Sequence, residues 1–405
     1  MKKKFVFVIV ILIFVSCFFG RFDIMSGEFA LNVAYAESEK EELERELEEQ
    51  VSKQLANIDF DGIETSLNAL TADAKSLFNS SSFADKVYYV ISGRYADESK
   101  NFFGGIASIF LKDVKGGFPL ISIIISVSIL GGMVSALKPM TSKGSIGNLV
   151  HFVTYGVILT LIGTSLAQII KSTTSSLQTI QGVFNGIFPI LLTLLTALGG
   201  SVSVGIYQPA IAMLGGLFSS LITYILMPVF VFSVVFSLVG NLSNNVKLDK
   251  FVSFLQGAFK WIMGLCFTIF LGFVSIQGIV AGSVDGLSIR TAKYAIKSYV
   301  PIVGNYISDG LSLIMASSAL IKNAVGGVGL LLVLAVIVSP ILNIAFFMLA
   351  LKFMAGIIEP LGDGKTANFL SSLSKSMSLL IALLVAVSFV YVVMTGLIMC
   401  SANLV

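Results

Sequence analysis

The sequence predicts an all-α polytopic membrane protein. It reads as a helical bundle with an internal duplication, proline-broken or re-entrant segments and a small N-terminal extracytoplasmic helical region. Three observations carry this. Of 405 residues, 56% are hydrophobic and 12% charged, and mean hydropathy is +0.93, whereas soluble domains hold about 25% charged residues. Apolar runs recur at 118–137, 149–170, 210–240, 261–280, 328–352 and 377–400, with a shorter one at 183–198. Charge is segregated: residues 37–117 carry 9 Lys/Arg against 16 Asp/Glu, while 118–405 carry 13 against 5. An acidic head therefore precedes a basic membrane body.

Residues 1–36 read as a signal peptide. Lys2, Lys3 and Lys4 form a basic start, 5–19 an apolar core too short to span, and Ala34-Tyr35-Ala36 an A-x-A cleavage site. The polar spacer from Arg21 is long, so an uncleaved anchor is the competing reading. Residues 37–117 then form the acidic extracytoplasmic region. Leu43, Leu47, Val51 and Leu55 recur every four residues and make an apolar stripe on a helix. That stripe either docks a partner or packs on its own small domain, with 83–91 and 102–111 as candidate packing partners. A head of this size is marginal alone.

The transmembrane domain covers 118–405. Pro189, Pro228 and Pro340 are expected to break its helices, because proline removes an amide donor and crowds the preceding turn. At an offset of 112, Pro189 maps to Pro301, Gly215 to Gly327 and Pro228 to Pro340. This predicts repeat units at about 149–260 and 261–376, with 377–400 as a final helix. Lysines in the intervening loops (Lys138, Lys143, Lys247, Lys250, Lys260, Lys365, Lys375) orient the chain by the positive-inside rule. If 183–198 and the stretch opening the second half dip and return, each unit has two spans and the copies are parallel. If they cross fully, the copies are inverted. Lysines beside Phe and Leu at 246–260 and 366–376 suggest interfacial segments, with Trp261 at a boundary.

Residues 290–327 are too polar to face lipid and too apolar for an ordinary loop, and read as a broken, partly re-entrant segment. Arg290, Lys293 and Lys297 share one helix face by their spacing. They either line a path for an anionic solute, or a partner's acidic surface, or snorkel to headgroups. Pro301 breaks the segment, and Asp309 is a candidate counter-charge for Lys322. One histidine (His151), three scattered cysteines (Cys17, Cys266, Cys400) and no P-loop give no basis for a metal site, another cofactor or ATP hydrolysis. No nucleophile–base constellation appears, so catalytic residues are not expected and the chain does not read as an enzyme.

The phrases R-T-A-K-Y-A-I-K, Y-V-P-I-V-G-N-Y-I-S-D and L-I-K-N-A-V-G, with the E-P-L-G-D turn at 359–363, resemble the stage III sporulation protein AE family over nearly the whole chain. The resemblance implies a multi-pass protein of the mother-cell membrane facing the forespore in endospore-forming bacteria. It implies a permease-like component of a trans-envelope channel complex that moves or gates small solutes. A non-conducting scaffold that anchors the complex is the alternative. Implied partners are other stage III sporulation membrane and extracytoplasmic proteins, membrane lipid and further copies of the chain, but not nucleic acid. The family brings no catalytic residues to transfer.

Overall fold

The computed structural model describes residues 37–79, 82–93, 98–136, 145–242, 248–273, 304–361 and 364–401. The expected signal peptide lies outside them. The head begins with α1 (Glu37–Ala56), whose Glu, Lys and Leu content favours helix. Three short helices follow: α2 (Asp61–Asn68), α3 (Ala72–Phe78) and α4 (Phe83–Ile91). The Thr71 hydroxyl caps α3 by accepting from the Ala74 amide, and Asn79 closes it in the left-handed region at φ 52°. Of the predicted stripe, Val51 is buried and Leu55 packs against the core.

The body contains α5 (Glu98–Ala136), α6 (Ser145–Ala197), α7 (Ser201–Leu221), a π turn (Ile222–Leu226) and α8 (Met227–Leu242). It continues with α9 (Asp249–Phe273), α10 (Gly304–Ile358), a 3₁₀ turn (Glu359–Leu361) and α11 (Gly364–Cys400). No strand occurs among the described residues. Among the described residues six helical segments are long and apolar enough to cross a membrane, and the chain is a polytopic helical membrane protein.

Helix α10 is the central post, packing on α11, α6 and α5 and on α1, α3 and α4 of the head. It pairs antiparallel with α11. At one end the Ser374 hydroxyl donates to the Met348 carbonyl at 3.0 Å, and at the other Lys322 donates to the Ser401 carbonyl. Helix α6 runs parallel to α11, with Tyr155 against Phe369 and Phe184 against Tyr391. The Tyr155 hydroxyl donates to the Leu238 carbonyl, and Ser237 meets Ser372, which sets α8 in the reverse direction. Helix α9 follows α11, through Gln256 to Ser376 and Phe267 on Phe389. Exposed Phe118, Ile123, Leu130, Phe232, Phe254, Trp261 and Ile269 make outward faces suited to lipid.

The structure corrects several expectations. Pro189 lies inside α6 and Pro340 inside α10, and both helices continue through them. One missing amide bond costs less inside a packed bundle than opening a whole turn to an apolar surround. Residues 183–198 therefore do not dip and return; up to Ala197 they are the upper third of a straight-through α6. Likewise the described part of residues 290–327, from Gly304, is the start of α10 and not a broken segment. Of the three prolines expected to break helices, Pro228 alone sits beside an irregularity: the Met227 amide bonds back to the Ile222 carbonyl, the wider spacing of a π turn. Where described, the 246–260 and 366–376 stretches run without a break into α9 and α11. Helix α5 also runs across the head–body border at 117/118 without a stop.

The head is clasped to the body. Ile63 and Phe83 are fully buried, and α2 lies on α6 at Gly182 and Gly186. A methyl group on Gly186 would fall 3.0 Å from the Ile63 backbone nitrogen. Glycine at i and i+4 on α6 lets the two backbones meet.

Candidate functional site

Residues 172–246 contain no Asp, Glu, Lys, Arg or His, and neither do residues 376–405. Where these two charge-free lengths meet, α6, the π turn and α11 line a small, mostly apolar cleft that carries neutral polar side chains on its wall. It is lined by Thr174, Gln178 and Gln181 of α6, Ser219, Thr223 and Met227 around the π turn, and Val387 and Tyr391 of α11, with Leu177 and Ile222. Its cavity volume is about 20 Å³, room for one water.

Local sequence places each group. The run Lys171-Ser172-Thr173-Thr174-Ser175-Ser176 interrupts the apolar pattern of α6 without ending it, because Thr173 and Thr174 return their hydroxyls to the carbonyls of Ile169 and Ile170. Thr174, Gln178 and Gln181 then follow at spacings of four and three on one face. The π turn is forced by Pro228, which offers no amide to Tyr224, so the ladder widens one residue upstream. The Ser219 hydroxyl donates to Gln181 Oε1 across the mouth. Gln178 and Thr223 are exposed and Tyr391 is buried, so the cleft opens at the flank and ends on a phenol. The arrangement offers hydrogen-bond donors and acceptors without a counter-ion.

A second polar cluster joins head and body. Lys112 of α5 donates to Asp73 of α3 at 2.7 Å, and the Ser339 hydroxyl of α10 reaches the other Asp73 oxygen at 3.4 Å. Beside it the Asn343 side chain lies close to Asp113. Asp113 Oδ2 is buried with no hydrogen-bond partner among the described residues. A third cluster binds α1 to α10: Gln54 donates to Ser317 at 2.9 Å and accepts from Ser318 at 3.0 Å.

Of the residues expected from sequence, Arg290, Lys293, Lys297 and Pro301 lie outside the described residues. Asp309 lies in α10, its side chain outside the described set. Lys322 is fully buried and donates to the carbonyl of Ser401, whose hydroxyl meets the Tyr207 hydroxyl. An ammonium at the C-terminal end of α11 complements the exposed carbonyls there. Asp309 is not its counter-charge: 13 residues along one helix separate them, about 20 Å at 1.5 Å per residue. Gln178, Gln181, Ser219 and Thr223 were missed. Their only signal was a run of neutral polar side chains on one helix face inside a charge-free length. Among the described residues no group of three His, Cys, Asp or Glu side chains is placed to hold a metal.

A family model described as Stage III sporulation protein AE matches residues 81–402. Stage III sporulation protein AE of Bacillus subtilis (strain 168) is 25% identical over 382 residues, covering 94% of this chain and 96% of the relative. No solved structure matches.

Proposed function

Since the chain belongs to the stage III sporulation protein AE family and so serves sporulation as a membrane protein, we propose that it is the permease-like subunit of a channel complex linking mother cell and forespore. On this reading it sits in the mother-cell membrane with its head outside the cytoplasm, contacts other stage III sporulation proteins through that head, and passes or gates small solutes. The relative is named as a sporulation protein and not as an enzyme, and no catalytic role is proposed.

The observation that supports the reading is the cleft at the π turn, a mostly apolar space with neutral polar side chains gathered on its wall. A bundle that only anchored partners has no need of two glutamines, a serine and two threonines around one water-sized space. Helix irregularities beside polar side chains at membrane depth are the usual construction of a transporter's binding point. The helix directions suit a parallel duplication of two-span units: α6 and α9 run one way, α7–α8 and α10 return, and Pro228 and Pro340 stand on the returning helices.

The test uses single cysteines at Gln178, Ser219 and Thr223 in a chain lacking Cys17, Cys266 and Cys400. Labelling by a water-soluble thiol reagent in sporulating cells, with loss of late forespore gene expression on labelling, is the expected result. Protection of all three positions, with Gln178→Leu and Thr223→Val both sporulating normally, would sink the transport reading. That outcome leaves the scaffold reading, which the double fastening of the head at Gln54 and Asp73 favours.

A further inference from the structure

We infer that the cleft between α6, the π turn and α11 recognises an uncharged, hydrogen-bonding solute and rejects ions; this rests on the permease-like reading above. One of the readings open for Arg290, Lys293 and Lys297 is a lining for an anionic solute. The cleft points elsewhere.

The argument starts from what lines it. Thr174, Gln178, Gln181, Ser219, Thr223 and Tyr391 are all neutral, and Leu177, Ile222, Met227 and Val387 are apolar. Charged side chains are absent from 172–246 and 376–405, the lengths that build every wall. An ion leaving water here meets no opposite charge, and stripping its hydration costs several kcal/mol. A neutral solute faces no such barrier. Primary amides present an oxygen acceptor and two N–H donors, and hydroxyls serve as both. Gln178, Gln181, Ser219 and Thr223 therefore match amide, urea-like or polyol groups.

The clamp across the mouth strengthens this. Ser219 Oγ donates to Gln181 Oε1, which ties α6 to α7 one turn from the π segment. That bond links two neutral groups, so a neutral solute can replace either partner without leaving a charge unpaired. With the clamp made, the space admits one water. Opening it separates Gln181 from Ser219 and frees an acceptor and a donor for the solute. The π turn next to Ser219 supplies the movable backbone, since its ladder is already widened.

The experiment reconstitutes the full chain with its partner proteins in liposomes. Entry of glycerol and urea is followed beside entry of glutamate and lysine. The expected result is entry of the neutral probes alone, reduced about tenfold by Gln181→Leu through loss of hydrogen bonds to the solute. Gln178→Leu gives a second reading of the same site, and an unchanged elution profile in detergent shows that each variant folds. If glutamate or lysine enters and Gln181→Leu slows it, transport stands and the neutral class is overturned. If the neutral probes enter and neither variant slows them, the site is wrong. If no probe enters with all partners present, the permease-like reading itself falls.

Discussion

Lys322 shows what one side chain does at the end of a bundle. Its stem is enclosed by apolar helices and its ammonium sits on the last carbonyls of α11. Truncation to alanine removes a charged hydrogen bond and leaves a cavity, a combined loss of about 2–4 kcal/mol. Lys322→Met keeps the volume and loses only the bond, so it is expected to lower the thermal midpoint in detergent less than Lys322→Ala. If Lys322 instead serves a solute path, Lys322→Met abolishes sporulation with an unchanged midpoint. The sequence made Lys322 stand out because charge is rare in this half. It did not show its partner, because Ser401 lies 79 positions away. Gln178 and Gln181 stayed hidden for the opposite reason: neutral amides raise no alarm in a hydropathy profile. The same distance problem hid Asp113 and Asn343, on helices far apart in sequence.

At the level of elements, the docking of α2 on α6 depends on absent side chains. Gly186→Ala sets a methyl 3.0 Å from the Ile63 amide nitrogen and 3.2 Å from the Gly62 carbonyl carbon. Backbone cannot swing aside as a side chain can, so the pair is expected to part at a cost of about 1–3 kcal/mol. Limited proteolysis should then release the head sooner than in the parent protein. Gly326→Ala meets only the flexible Met399 thioether and is expected to be far milder. Equal protease resistance in the Gly186 and Gly326 variants would show that α2 does not hold the head. The Asp73–Lys112 pair is a weaker fastening, worth about 0.2–1 kcal/mol because Lys112 is exposed. Exchanging the two charges should restore what either single reversal loses in a double-mutant cycle. The existence of these helices was legible in apolar periodicity. Their ends were not: α6 and α10 run through Pro189 and Pro340, where neighbouring helices hold the ladder together, and at Pro228 the ladder widens to a π turn without ending.

For the whole molecule, the number of spanning segments followed from hydropathy alone, while their lengths did not. Helices α6 and α10 have 53 and 55 residues, about 80 Å each at 1.5 Å per residue, against a hydrocarbon core of about 30 Å. Both extend past any single bilayer, and the head lies along α10 from Ile314 to Ser339. A short bifunctional thiol reagent joining cysteines at Gln54 and Ser317 should therefore form within one chain. If solute passage needs the head to lift, this bridge blocks late forespore gene expression and a reducing agent restores it. If the chain only anchors partners, the bridged protein supports sporulation normally.

Two unbroken rods of this length have a mechanical consequence. A push applied where the head grips α10 reaches the opposite end almost undiminished, because nothing between absorbs it. The widened ladder at Ile222–Leu226, just ahead of Met227 and Pro228, offers a softer point. Strain entering from outside partners and reaching that turn would act beside the uncharged cleft.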